Sequence, residues 1–178
     1  MRILPISLLE PTLANIRGLR LRLIRRHGTL LAGCKPGDRL WVREPFHLPE
    51  AFDHHSPVEA LAKFATIWFA IDGAAPGGYG RRRFARELPR DAHRMYLRLT
   101  AVRTEQLQAI DDADIAAHGF RDRTAFAADW NRQTAPAATI SGARLRWADD
   151  PPVTVLAFDP VFQPIATADF ASRTRAPA

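Results

Sequence analysis

Cysteine is almost absent from this chain of 178 residues, because Cys34 is the only one. The sequence therefore excludes an internal disulfide and a cysteine-based metal site. It also lacks any apolar run close to the roughly 20 residues that a membrane-spanning helix needs. The N-terminal stretch MRILPISLLEP is too short and too soon interrupted for a signal peptide. These absences favour a cytoplasmic protein that makes no membrane contact.

Lysine is also scarce: Lys35 and Lys63 are the only two among 25 basic residues, and the rest are arginine. The net charge is +6 and the isoelectric point is about 10.6. Arginine presents a planar fork that suits phosphate groups and stacks on bases, so this charge favours a polyanionic partner. A GC-rich genome also produces an excess of Arg, Ala and Pro, so the charge alone leaves both explanations open.

Length and composition predict a globular α+β protein. Hydrophobic residues make up 47% of the chain and charged residues 25%, which is ordinary for one compact domain. Apolar alternation predicts strands, and apolar residues three or four apart predict short helices. We expect a small β-barrel with helices around it, in one domain over 1–165 with an insertion at about 45–80 and a frayed tail over 166–178. The predicted strands are 2–9, 19–26, 39–44, 94–103 and 152–158, and the predicted helices are 10–18, 57–71, 113–118 and one that begins near 122–124.

The stretch PGDRLWVRE, residues 36–44, combines a turn with a short strand. Pro36, Gly37 and Asp38 are turn residues. The strand that follows carries two arginines, a tryptophan and a final glutamate. It is either a half-buried strand with one solvated face or a strand whose polar end lines a binding cleft, with Trp41 mainly structural.

Motifs for metals and cofactors are missing. His54 and His55 are adjacent in a predicted loop, but spacing supplies no third ligand. The glycines of GAAPGGYG lack the lysine and hydroxyl residue of a phosphate-binding loop. No Gly-x-Ser-x-Gly motif marks a nucleophile. We therefore expect neither a metal nor a cofactor.

Basic residues form the most informative pattern. One group lies in 17–26, a second (RRRFAR) in 81–86 beside Tyr79 and Phe84, and a third in 94–103. Arginines beside aromatic rings are typical of single-stranded RNA recognition, because bases stack on rings and guanidinium planes while phosphates take the charge. With the arginines of 39–43, these groups are predicted to line one cleft.

The order of these segments resembles the ASCH family, whose fold is like that of the PUA RNA-binding domain, and especially a branch common in phages and prophages. PGDRLWVRE matches that branch almost letter for letter. The other matching segments are IRGLRLRLIRR (16–26), RRRFARELPRDAHRMYLRLTAVRTEQLQAI (81–110), DDADIAAHGF (111–120), FAADWN (126–131) and DPPVTVLAF (150–158). The resemblance covers about residues 10–160.

The resemblance implies a β-barrel with a cleft that binds RNA. Some similar proteins are amidases that act on acylated cytidines, or ribonucleases, and the amidases use a lysine, a threonine and a glutamate. Here Arg20, Leu23 and His118 stand at those positions. Arg20 keeps the charge but cannot act as a base near neutral pH. Leu23 has no hydroxyl, and His118 alone could shuttle protons.

We therefore expect a non-catalytic protein that binds RNA or a nucleotide-like ligand. A hydrolase with a rearranged site, using His118 and Glu44, is the alternative, and an interaction protein without a ligand is a third. The sequence leaves the ligand and the oligomeric state open. The predicted nucleic-acid-binding residues are Arg20, Arg22, Arg25, Arg43, Glu44, Arg83 and Arg86.

Overall fold

The computed structural model describes residues 1–8, 10–18 and 21–171. Its helices and strands are interleaved along the chain, so the α+β class is confirmed. The strands are β1 (Ile3–Ser7), β2 (Arg22–Arg26), β3 (Arg39–Arg43), β4 (Phe46–His47), β5 (Trp68–Phe69), β6 (Tyr96–Gln106) and β7 (Pro152–Val161). The α-helices are α1 (Glu10–Arg17), α2 (Pro57–Ala62), α3 (Asp112–His118), α4 (Arg123–Ser141) and α5 (Thr167–Ala171).

Five strands form one sheet in the order β1-β3-β6-β7-β2, and β4 pairs with β5 in a second, two-stranded sheet. β1 runs parallel to β3, with Ile3 opposite Arg39. β2 runs antiparallel to β7, with Leu23 opposite Leu156. Within the described part of the chain, β1 and β2 stand at the two ends of this order. A closed barrel therefore remains a prediction.

The chain divides into two compact units, and the long strands β6 and β7 each contribute to both. The first unit comprises Asn15–Asp38 and Arg98–Asp159, together with Met1. Its apolar core packs α3 and α4 against β2 and β7. The buried members of this core are Ile24, Leu107, Ile110, Ile115, Phe126, Trp130, Val153 and Val155.

The second unit comprises Arg2–Ala14, Arg39–Leu97 and the residues from Pro160 onward. It has two apolar clusters. One surrounds Trp41 and Tyr96, and the other contains Phe46, Leu48, Ala60 and Leu88. The burial of Trp41 agrees with its predicted structural role. The prediction of a single domain over 1–165 with an insertion at 45–80 stays a prediction.

The turn of the PGDRLWVRE segment forms as predicted. Gly37 has a φ of +87°, a left-handed conformation that favours glycine. The amide of Gly37 donates to the carbonyl of Leu99 at 2.7 Å, and a carboxylate oxygen of Asp38 accepts from the amide of Lys35 at 3.0 Å. The turn therefore fixes the point at which β3 begins.

The acidic helix also forms as predicted. Asp111 is the N-cap of α3, and its side chain accepts from the amide of Asp114. Gly119 ends the helix with a φ of +113°. This is the left-handed helix end that glycine adopts at the lowest cost.

The predicted helix over 57–71 is wrong in its length. α2 begins with a capping box, in which Ser56 and Glu59 bond each other's amides, but it ends at Ala62. Phe64 then takes a φ of +61°, which stops helical propagation. Trp68 and Phe69 form β5 and pair with β4, so strand pairing overrides the helical spacing of the apolar residues.

The C-terminal tail is described only in part. α5 (Thr167–Ala171) lies in the segment that was predicted to fray, and residues 172–178 lie outside the described residues. Of the helices in the described part, none combines the length and the apolar character that crossing a bilayer requires.

Candidate nucleic-acid interface

The predicted site residues fall into both units. Arg20 lies outside the described residues. The first unit contains Arg22, Arg25 and His118. The second unit contains Arg43, Glu44, Arg83 and Arg86. The convergence of all of them on one cleft stays a prediction, and each unit is described below by its own contacts.

Arg22, in the first unit, is neutralised by a carboxylate. Its Nε donates to Asp114 at 2.8 Å, and Arg103 donates to the other oxygen of Asp114. Burial raises the pKa of Asp114, but the hydrogen bonds from Arg103 and Arg22 outweigh burial and lower it. Arg103 also pairs with Glu105 at 2.9 Å. The two arginines and the two carboxylates therefore neutralise each other within the first unit.

His118 lies beside this cluster in a buried position, 9% exposed. Burial lowers its pKa to about 4, and the charge of Arg25 contributes. The ring is therefore neutral at pH 7. Its Nδ1 lies 3.1 Å from the carbonyl of Arg22, which places the proton on Nδ1. Burial likewise lowers the pKa of Arg25, whose guanidinium donates to the carbonyl of Ile24 at 3.4 Å.

Glu44, in the second unit, is 1% exposed and held by Arg94. Its two oxygens accept from Nε and Nη2 of Arg94 at 3.0 and 2.8 Å. Asp72 binds the same guanidinium at 2.6 Å, and the guanidinium carbon lies 3.9 Å from the ring centre of Phe69. Burial lowers the pKa of Arg94, but the hydrogen bonds that it donates to Glu44 and Asp72 raise the pKa above its ordinary value.

Arg83 is 1% exposed and belongs to the interior of the second unit. Its Nη2 donates to the carbonyls of Phe52, Asp53 and His55 at 2.8, 3.2 and 3.0 Å. This guanidinium therefore holds the 52–55 loop and is not presented to a ligand. Arg83 is therefore outside the candidate site, and so is Glu44, because it is buried and both of its oxygens accept from Arg94.

A ribbon of three extended segments displays the neighbours of Arg83. β4 pairs with β5 on one side and, through Phe46, with Arg83 on the other. That bridge is closed by two hydrogen bonds, from the Arg83 amide at 2.7 Å and from the Phe46 amide at 3.3 Å. Side chains alternate between faces along an extended segment. Arg83 therefore points inward with Phe46, and Arg82 and Phe84 point outward.

We define the Arg–Phe surface as the side chains of Arg43, Arg82, Phe84 and Arg86. Phe84 is 58% exposed, and the guanidinium of Arg86 lies over its ring at 4.9 Å. The guanidinium of Arg43 lies 5.6 Å from the ring centre of Trp41 and contacts the carbonyl of Arg86 at 3.5 Å.

Arg43 and Arg86 differ from Arg22, Arg94 and Arg103 because neither forms an ion pair with any described residue. Burial lowers the pKa of Arg43, and its Nε has no hydrogen-bond partner among the described atoms. Two cations without carboxylates, next to an exposed ring, form a site with unused capacity to bind an anion.

Sequence reasoning missed the acids that neutralise Arg22 and Arg94. Asp114 is 92 residues from Arg22, and Asp72 is 22 residues from Arg94, so no local pattern pairs them. It also left Trp68 inside a predicted helix. An extended RRRFAR segment would expose every second side chain, but the sequence alone did not show which of the two alternating sets faces outward.

Metal ligands do not cluster in the part of the chain that the structure describes: no group of three or more His, Cys, Asp or Glu side chains could hold an ion. His55 of the predicted His pair lies with Nε2 2.9 Å from the ammonium of Lys63. Comparison of the chain with protein-family models, with curated proteins and with solved structures gives no match.

Proposed function

We propose that this protein binds single-stranded RNA through the Arg–Phe surface and catalyses no reaction on it. The observation that carries the proposal is the pairing state of Arg43 and Arg86. Both guanidinium groups lie beside aromatic rings, and both lack a carboxylate partner among the described residues. Guanidinium groups in this state bind phosphate, and an exposed ring next to them binds a base face.

The exposed ring favours RNA over a simple anion. Phe84 is half exposed although it is large and apolar, and every base offers it a face on which to stack. Unstacked bases occur in single-stranded loops and ends, which are the usual targets of sequence-tolerant RNA binding.

The resemblance to the ASCH family supports the same function. Membership of that family, a closed PUA-like barrel and a cytoplasmic location are parts of this proposal. The Arg–Phe surface lies within the second unit. RNA binding can therefore be tested independently of whether the barrel closes.

The hydrolase alternative has less support from the geometry. Leu23 is fully buried and has no hydroxyl. Both oxygens of Glu44 accept from Arg94, so this carboxylate is not available as a base. His118 is buried, 9% exposed, so its ring has little access to a substrate or to water.

Fluorescence anisotropy with a labelled single-stranded RNA of about 12 nucleotides tests the proposal. We expect binding that weakens steeply between about 50 and 200 mM salt. The double variant R43A/R86A removes two phosphate contacts, so the slope of log K against log salt should fall by roughly 1.4, which is about 0.7 per contact on single strands.

The matched control is R26A/R144A, which removes the same charge from exposed positions of the first unit. It should leave most of the slope in place. Equal losses in the two double variants, or RNA binding that is absent or independent of salt, would overturn the proposal. Incubation with acylated cytidines belongs to the same test, because hydrolysis by the wild type but not by H118Q would support the alternative.

A further inference from the structure

The outward face of the ribbon continues beyond Phe84 with two more aromatic rings. β4 places His47 opposite Trp68, and the register of the Phe46–Arg83 bridge places His47 opposite Arg82. Tyr79 joins the same ribbon through its bridge to Pro49. The ring centres of Trp68 and Tyr79 are 6.3 Å apart in an edge-to-face arrangement.

Hydrogen bonds hold both rings in place by their polar atoms. The Trp68 Nε1 donates to the carbonyl of Gly73 at 3.1 Å, and the hydroxyls of Tyr79 and Thr66 lie 2.9 Å apart. Both side chains are half-buried, and neither belongs to the apolar cluster around Phe46. Rings that are already oriented and partly open lose little conformational freedom when a ligand stacks on them.

We propose that Trp68 and Tyr79 form a base-stacking platform that extends the Arg–Phe surface along an RNA strand. The inference rests on the proposed function and adds to it two stacking residues, and with them an RNA footprint longer than the Arg–Phe surface alone. In a duplex, stacked and paired bases do not offer their faces to the rings. The segment 45–80 thereby gains a role, since it supplies Trp68 and Tyr79.

Anisotropy with three RNA probes tests the platform: a single strand of about 12 nucleotides, one of about 4 nucleotides and a blunt duplex. W68A should weaken binding of the longer single strand by about tenfold or more, which is the effect of losing one stacked base. It should change binding of the short strand and of the duplex much less. W68F keeps a ring and should recover most of the affinity.

Phe64 provides the matched control, because it is 94% exposed in the same segment and lies outside the platform. F64A should bind the longer strand as the wild type does. Quenching of tryptophan fluorescence by RNA gives a second readout: the wild type should show a quenched component that W68F lacks.

Two results would overturn the platform alone: W68A binding the longer strand as tightly as the wild type, or F64A losing as much affinity as W68A. In either case a smaller salt slope of RNA binding in R43A/R86A than in the wild type would still support the Arg–Phe surface. Absence of RNA binding by the wild type would overturn both proposals. If circular dichroism shows that W68A is unfolded, the platform is tested by W68F instead. An RNA-dependent quenching that is as strong in W68F as in the wild type would then overturn it.

Discussion

Arg22 and Arg103 in the first unit differ from Arg43 and Arg86 in the second in what their guanidinium groups contact. The first pair shares the carboxylate of Asp114. The second pair contacts aromatic rings and a carbonyl. A count of basic residues treats the pairs as equivalent. The partners show that one pair serves the fold and that the other keeps its charge for solvent or a ligand.

The largest expected effect comes from removing the shared carboxylate. D114N keeps the shape of the side chain but leaves two arginines with a neutral partner. We expect the free energy of unfolding to fall by about 1–3 kcal/mol; the partial exposure of both arginines limits the loss. Urea unfolding followed by circular dichroism measures it.

The control for D114N is D91N, because Asp91 pairs with Arg90 on an exposed part of the surface. Exposed pairs contribute less than about 1 kcal/mol. Equal losses in D114N and D91N would show that Asp114 does not neutralise an internal cluster.

The pH dependence of stability separates the buried histidine from the charges around it. The pKa of His118 is lowered to about 4 in the folded protein, against an ordinary value of about 6.5 when unfolded. Below pH 6.5 the unfolded chain binds the proton first, so stability falls by up to about 1.4 kcal/mol per pH unit until pH 4. Above pH 6.5 this group has no effect.

H118Q should flatten this slope when unfolding is measured between pH 7 and about pH 4.5. Some slope should remain, because burial also lowers the pKa of His93 in the second unit. An unchanged slope in H118Q would mean that His118 is not buried as a neutral ring.

The smallest expected effect on stability concerns the second pair of the comparison, Arg43 and Arg86. R43A/R86A should change the free energy of unfolding by less than about 1 kcal/mol, since neither guanidinium forms an ion pair within the described fold. The same urea titration measures it. A loss as large as that of D114N would make these arginines structural and weaken the proposed RNA surface.

The sequence was sufficient where local chemistry decides the structure. Asp111 and Gly119 cap the two ends of α3, as predicted. Pro36, Gly37 and Asp38 form the predicted turn before β3. These features depend on φ preferences and on hydrogen bonds between near neighbours.

The candidate site was less predictable because its charges are decided by distant partners. Glu44 and Arg94 are 50 residues apart, so their pairing depends on the fold. Adjacent Arg82 and Arg83 have the same chemistry and opposite environments, and only the bridge from Arg83 to Phe46 fixes which one is buried. The local sequence also favoured a longer helix over 57–71, and strand pairing of Trp68 overrode it.

The burial of Arg83 has a consequence for mutational scanning. Under the proposed function, replacing the five other residues of RRRFAR around Ala85 in turn by alanine would give the largest drop in RNA retention at position 83, because the loop carbonyls of Phe52, Asp53 and His55 would lose their donor. A scan without a folding assay would therefore mistake Arg83, a buried residue that holds a loop, for the principal RNA contact.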